Sequence, residues 1–247
     1  TLFTALLDAG LMNPDAKTCF GNGFGDFCQE PMLADNGIEW RPAAKESLDP
    51  EILTTPATPF AANGGVKLLE GNLGRSVIKT SAVQKQHHIV EAPAVVIDDQ
   101  DDLKPLFEAG ELDKDCVVVV RFQGPAANGM PELHKLTPML GVLQDKGHKV
   151  ALVTDGRMSG ASGKVPAAIH LVPEASQGGP LAKLQAGDVI RLDATTGDLS
   201  AQIDESVFND RPEAQAPTVP STVGRGLFSN NRLAVSSAEE GASSLFS

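Results

Sequence analysis

Two apolar runs constrain this chain more than any other feature: VVVV at Val117–Val120 and VALV at Val150–Val153. Each leads into a glycine-rich turn, GPAANGMPE after the first and TDGRMSGASGK after the second. A short apolar run closed by turn residues reads as a β-strand. Glycine permits positive φ and lets backbone approach a ligand closely, so such turns at strand ends are where sites are commonly built. Around them stand Glu132, Asp155, Arg157, Ser159 and Lys164, more chemically distinct groups than plain connectors need.

The same strand-and-turn pattern extends over residues 61–205: GVKLLEG, RSVIKT, HHIVEAPAVVID, CVVVVRF, HKVALVT, AAIHLV and DVIRLDATTGDLSAQID. The last reads as a hairpin, because TTGD separates two alternating strands. Two helices interrupt the series, one at Leu103–Ala109 and one at Pro131–Asp145. The second sets Leu136, Met139, Leu140 and Leu143 on one helical face. Many short strands with few helices imply an α+β fold, a β-barrel or sandwich core with flanking helices.

Residues 1–60 are rich in Pro, Asp, Asn and Gly and read as an irregular approach segment, or a linker from a preceding domain. Residues 61–225 form the expected barrel domain, and 226–247 a polar tail. The chain opens at Thr1 inside TLFTALLDAG, an amphipathic helix pattern, and so reads as a piece of something longer.

Composition excludes several classes of partner. Apolar residues make up 41% of the 247 and charged residues 21%, an ordinary globular balance. No apolar run approaches the roughly 20 residues of a membrane span. A net charge of −12 argues against nucleic acid, whose phosphates need a basic face. It does not exclude a small phosphorylated substrate, which needs only local donors. Three cysteines form no disulfide framework and point to reduced, cytoplasmic thiols. Cys19 and Cys28 lack the spacing of a metal clip, and Cys116 reads as a small buried hydrophobe.

The motifs narrow the chemistry only so far. GASGKV resembles a phosphate loop, but Met158 and Val165 stand where that motif requires glycine and a hydroxyl residue. A glycine-rich turn could still offer N–H groups to an anion, with Lys164 beside them. Ser159 lacks the flanking pattern of an esterase elbow. His87 and His88 precede a strand, while His134, His148 and His170 share no metal-ligand spacing. Glu132 suits either the positive end of a helix dipole or a functional role, and Asp155 can equally fix its turn. The residues by themselves imply a ligand site made of two loops.

QGPAANGMPELHKL and ALVTDGRMSGASGKVPAAIHLVPEA resemble the C-terminal part of the dihydroxy-acid/phosphogluconate dehydratases, an iron–sulfur family. The family signatures GP…GMPE, TDGR-[FM]-SG and PEA stand at Gly124–Glu132, Thr154–Gly160 and Pro173–Ala175, and GNLGRSVIKTSAV at Gly71–Val83 fits as well. Resemblance runs from about Gly21 to Asp204, and the ANGMPELHKL and SGASGKVPAAIH variants are similar to the phosphogluconate branch.

The resemblance implies a cytoplasmic hydro-lyase of the Entner–Doudoroff pathway that converts 6-phosphogluconate to 2-keto-3-deoxy-6-phosphogluconate. It implies a 4Fe–4S cluster as Lewis acid for the departing C3 hydroxide and Mg2+ for the substrate carboxylate. Glu132 matches a magnesium ligand and Ser159 the proposed base. The three cysteines match none of the cluster motifs, so the cluster ligands are expected in a missing N-terminal domain, with half the site on each part. The fragment alone is then expected to be inactive, and the full-length protein a homodimer. The barrel should resemble the swivelling domain of aconitase-like enzymes. A phosphorylated acid entering so acidic a chain needs local donors, so Arg157 and Lys164, with the backbone of Ser162 and Gly163, are the expected substrate contacts. Lys164 pairing with an acidic surface group is the plainer alternative. A sister dehydratase for a sugar acid or dihydroxy acid, or a noncatalytic binding or assembly domain, would carry many of the same residues.

Overall fold

The computed structural model describes residues 1–158, 163–218 and 225–245. It divides into two units, Thr1–Gly64 and Gly65–Ser247.

The first unit holds helix α1 (Leu2–Asp8), the short pair β1 (Lys17–Thr18) and β2 (Gly21–Asn22), and the hairpin β3 (Gln29–Ala34) and β4 (Gly37–Pro42). Phe3, Phe24 and Phe27 gather with ring centroids 5.1 to 5.6 Å apart. Across the hairpin, Pro31 opposes Trp40 and Leu33 opposes Ile38, while Arg41 Nε donates to Glu30 at 2.7 Å. The hairpin is more regular than the expected approach segment. Pro31 hides it in the sequence, because proline is tolerated in a strand only where its missing N–H faces no partner, as on a two-stranded ribbon. No residue of this unit is fully buried.

The second unit is built on eight strands: β5 (Val66–Gly71), β6 (Gly74–Lys79), β7 (Ile89–Ile97), β8 (Cys116–Val120), β9 (Val150–Thr154), β10 (Ala167–Val172), β11 (Val189–Asp193) and β12 (Asp198–Ala201). They close into a barrel in the order β10-β6-β5-β12-β11-β7-β8-β9. The barrel expectation therefore holds over the sandwich. β11 and β12 form the expected hairpin, its turn held by the Asp193 carboxylate, which accepts from the N–H groups of Thr195 at 2.8 Å and Thr196 at 3.0 Å. The pairs β7–β8, β8–β9 and β9–β10 are parallel, so four neighbouring strands point the same way.

The unbroken valine run of β8 follows from burial on both faces. Val117 and Val119, with Ala151 and Val153 of β9, enter the barrel interior beside Leu69, Ile78, Val90 and Leu192. Cys116, Val118 and Val120, with Val150 and Leu152, face outward into a second apolar layer. Helices α2 (Leu103–Glu108) and α4 (Leu136–Asp145) complete that layer with Leu103, Leu136, Leu140 and Leu143. The stretch expected as a tail carries its own helix, Ser229–Ala234, and beyond that helix Glu239 accepts from Arg75 Nε of β6 at 2.8 Å. Among the described residues no helix is long and apolar enough to cross a membrane.

Leu140→Ala should lower the unfolding free energy by about 2–5 kcal/mol, since a buried leucine loses both its transfer energy and its packing. Val142→Ala, on the half-exposed side of the same helix, should change it by less than about 0.5 kcal/mol. Urea denaturation followed by circular dichroism measures both.

Candidate functional site

Because β7 to β10 are parallel, their C-terminal ends meet at one rim. Asp98 follows β7, Arg121 to Gly124 follow β8, Asp155 to Arg157 follow β9, and Pro173 to Ala175 follow β10. The glycine-rich turns and the PEA segment are thus neighbours in space. Carboxyl ends of parallel strands are where α/β proteins commonly place their sites.

Two buried carboxylates hold the rim together. Asp155 accepts from the N–H groups of Phe122 at 3.2 Å, Gln123 at 2.9 Å and Ala175 at 2.9 Å, tying the loops after β8, β9 and β10. Burial pushes its carboxyl up to about 6, the nearby Glu174 charge adding to the effect and the three N–H donors opposing it. Glu174 accepts from Ala126 N–H at 3.1 Å and Ala127 N–H at 3.0 Å, in the short helix α3 (Pro125–Asn128), and from the Ser176 hydroxyl. Gly124 makes that approach possible, because a Cβ there would lie 2.7 Å from the Glu174 carboxyl carbon. Gln123 Nε2 donates to Asp98 O at 2.7 Å, and Asn128 Nδ2 donates to Gln123 Oε1 at 2.8 Å. Neither Gln123 nor Glu174 stood out in the sequence as a site residue. The available signal was a polar residue within three positions of each strand end, where a buried side chain must find several partners.

Glu132 and Arg157, chosen separately from the two turns, form a pair: Arg157 Nη1 lies 2.8 Å from Glu132 Oε2. Arg157 Nε also donates to Met130 O at 2.8 Å, and Leu133 N–H donates to Arg157 O at 3.2 Å. This bridging keeps residues 130–133 out of the helix, so α4 begins at Leu136 instead of Pro131. Glu132 therefore lies ahead of the first helical turn and does not serve a helix dipole. Both side chains of the pair are partly exposed, unlike Asp155 and Glu174.

Lys164 is not brought to this rim. It pairs with Asp145, and its carbonyl accepts from Gln144 Nε2 at 3.3 Å, at the far end of α4. The ten residues of α4 separate that end from its start by roughly 14 Å. Topology explains the placement, since a loop joining parallel β9 to β10 must return to the other end of the barrel. Gly163 precedes Lys164 on this return path, while Ser159 and Ser162 lie outside the described residues. Of the cysteines, Cys19 is exposed, and Cys116 is buried with its thiol pushed up to about 11 by desolvation. Among the described residues there is no group of three or more His, Cys, Asp or Glu that could hold a metal ion.

Asp155→Ala should cost about 3 kcal/mol or more of stability, because three buried N–H groups lose their acceptor together. Asp155→Asn keeps one acceptor oxygen and should cost less. Thermal or urea unfolding of the two variants gives the order.

Comparison with known proteins places this rim in a family. The dihydroxy-acid/6-phosphogluconate dehydratase C-terminal family matches residues 51–242. The phosphogluconate dehydratase of Pseudomonas aeruginosa is 55% identical over 244 residues, and that of Escherichia coli is 52% identical over 245. Each match covers 98% of this chain and 40% of the relative. The dihydroxy-acid dehydratase of Agathobacter rectalis is 32% identical over 240 residues, 96% of this chain and 40% of that protein. The chain thus spans about two fifths of the length of the curated relatives it matches. It belongs to the dihydroxy-acid/6-phosphogluconate dehydratase family and corresponds to that family's C-terminal part.

Proposed function

We propose that this chain is the C-terminal part of a hydro-lyase that dehydrates 6-phosphogluconate to 2-keto-3-deoxy-6-phosphogluconate, as in the Entner–Doudoroff pathway. The observation that carries the reading is the gap in similarity: 55% identity to a phosphogluconate dehydratase against 32% to a dihydroxy-acid dehydratase, over nearly the same residues.

In this reading the rim of β7 to β10 is one wall of the active site, and the preceding part of the full-length protein completes it. Arg157 holds an anionic end of the substrate. Its present pairing with Glu132 keeps the guanidinium oriented, and the hydrogen bond to Met130 O prevents it from swinging free. Asp155 and Glu174, which accept three and two backbone N–H groups, serve as girders and take no proton from substrate. Ser159 is the proposed base. A serine hydroxyl is a weak base at neutral pH and needs neighbouring positive charge to favour its alkoxide.

Glu132 fits one position of a magnesium site, since a partly exposed carboxylate is the hard oxygen donor that cation takes, the remaining ligands coming from elsewhere. The cysteines do not fit a cluster site on this chain, one being buried in the apolar layer around β8, and the cluster ligands are assigned to the preceding part. A magnesium ion held there would supply positive charge to stabilise negative charge growing on the substrate carboxylate, and a cluster held by the preceding part would supply a Lewis acid for the departing C3 hydroxyl. The three free thiols are suited to a reducing, cytoplasmic setting.

Anaerobic assay of the full-length protein should show formation of 2-keto-3-deoxy-6-phosphogluconate. No turnover, or a clear preference for an unphosphorylated dihydroxy acid, would reject this reading. Glu132→Gln should lower activity about tenfold or more, with partial recovery at high magnesium, because one anionic ligand to a hard cation is lost. Residues 1–247 alone should neither take up stoichiometric iron and sulfide on anaerobic reconstitution nor turn over substrate.

A further inference from the structure

Among the described residues, four that are not glycine adopt positive φ, and three of them stand at the rim: Phe122 at 59°, Met130 at 50° and His170 at 56°. Residues bearing a Cβ avoid this conformation, and its concentration at one place marks a site under functional constraint. Two of the three have a local explanation. Phe122 sends its ring into the barrel core, and Met130 presents its carbonyl to Arg157.

The backbone of His170 is held by a bulge, which leaves its side chain to be accounted for. The pairing of β10 with β6 runs Ala168 to Ile78 and Ile169 to Val77, then slips by one residue before Val172 meets Arg75. The slip is a β-bulge, a device that re-aims side chains beside active sites. Its backbone N–H donates to Gly156 O at 2.8 Å, locking His170 against the turn that carries Asp155 and Arg157. The ring is half-buried and, among the described residues, makes no hydrogen bond. Burial, with the Arg157 charge close by, pushes the imidazole below its ordinary value and so favours its uncharged form. An uncharged imidazole offers one donor and one acceptor, a match for a hydroxyl, which is also both.

We propose that His170 is a substrate-contacting residue, its imidazole hydrogen-bonding a hydroxyl of the polyhydroxy acid whose anionic end Arg157 holds. The inference rests on the hydro-lyase reading above and adds a specificity group to it.

The test uses the full-length holoenzyme. Asparagine tolerates the left-handed conformation, so His170→Asn removes the ring while preserving the bulge. Its kcat/KM for 6-phosphogluconate should fall about ten- to a hundredfold with melting temperature and iron content unchanged. Diethyl pyrocarbonate, mapped by peptide mass, should label His170 in the free enzyme and be blocked there by saturating 6-phosphogluconate. His148, beside Asp113 at the other end of the barrel, should be labelled equally in both. Wild-type kinetics in His170→Asn, a melting loss that accounts for the lost activity, or labelling of His170 that substrate leaves unchanged would overturn the inference while leaving an active enzyme. A wild type that does not dehydrate 6-phosphogluconate would overturn the enzyme reading and this inference with it.

Discussion

The rim depends on a single buried carboxylate. Asp155 is enclosed completely and answers three backbone N–H groups from two other loops. Taking a carboxyl out of water is unfavourable, and it is tolerated here because three donors that would otherwise be orphaned are satisfied at the same point. The loops after β8, β9 and β10 consequently form one body. Glu174 extends that body to α3, so the partly exposed pair Glu132–Arg157 stands on a rigid base. Precise presentation of a few reactive groups requires such support from side chains that never touch a ligand.

The glycines of the two turns acquire separate meanings in this setting. Gly124 and Gly156 are needed for close packing: a Cβ on either would strike Glu174 or Gln123. Gly129, at φ 71°, is needed for its conformation, since it ends α3 in the left-handed region. One motif therefore combines a space requirement with a torsional one.

Strands were largely legible in the sequence because apolar runs bounded by turns leave few alternatives, and the eight barrel strands fall on the runs identified. Their pairing was not legible. Glu70 meets Asp198 and Ile78 meets Ala168 across most of the unit, and a period of two carries no information about which strand lies alongside. At the site, Glu132 and Arg157 were readable as charges beside glycines, but their partnership required the parallel arrangement of β8 and β9. Lys164 shows the converse. Adjacent in sequence to the second turn, it lies about a helix length away, because linear proximity ignores the return path that parallel strands impose.

The absence of any fully buried residue between Thr1 and Gly64 bears on how this chain breathes. Amide protons of a closed barrel exchange only when many hydrogen bonds open together, since there is no free edge from which to fray. The β3–β4 ribbon has two open edges and exposes Leu33, Ile38 and Trp40, with no enclosed core beneath it. Local opening there costs little apolar burial and exposes few new groups. The polypeptide thus joins a region that exchanges through small local fluctuations to one whose slowest amides report cooperative unfolding.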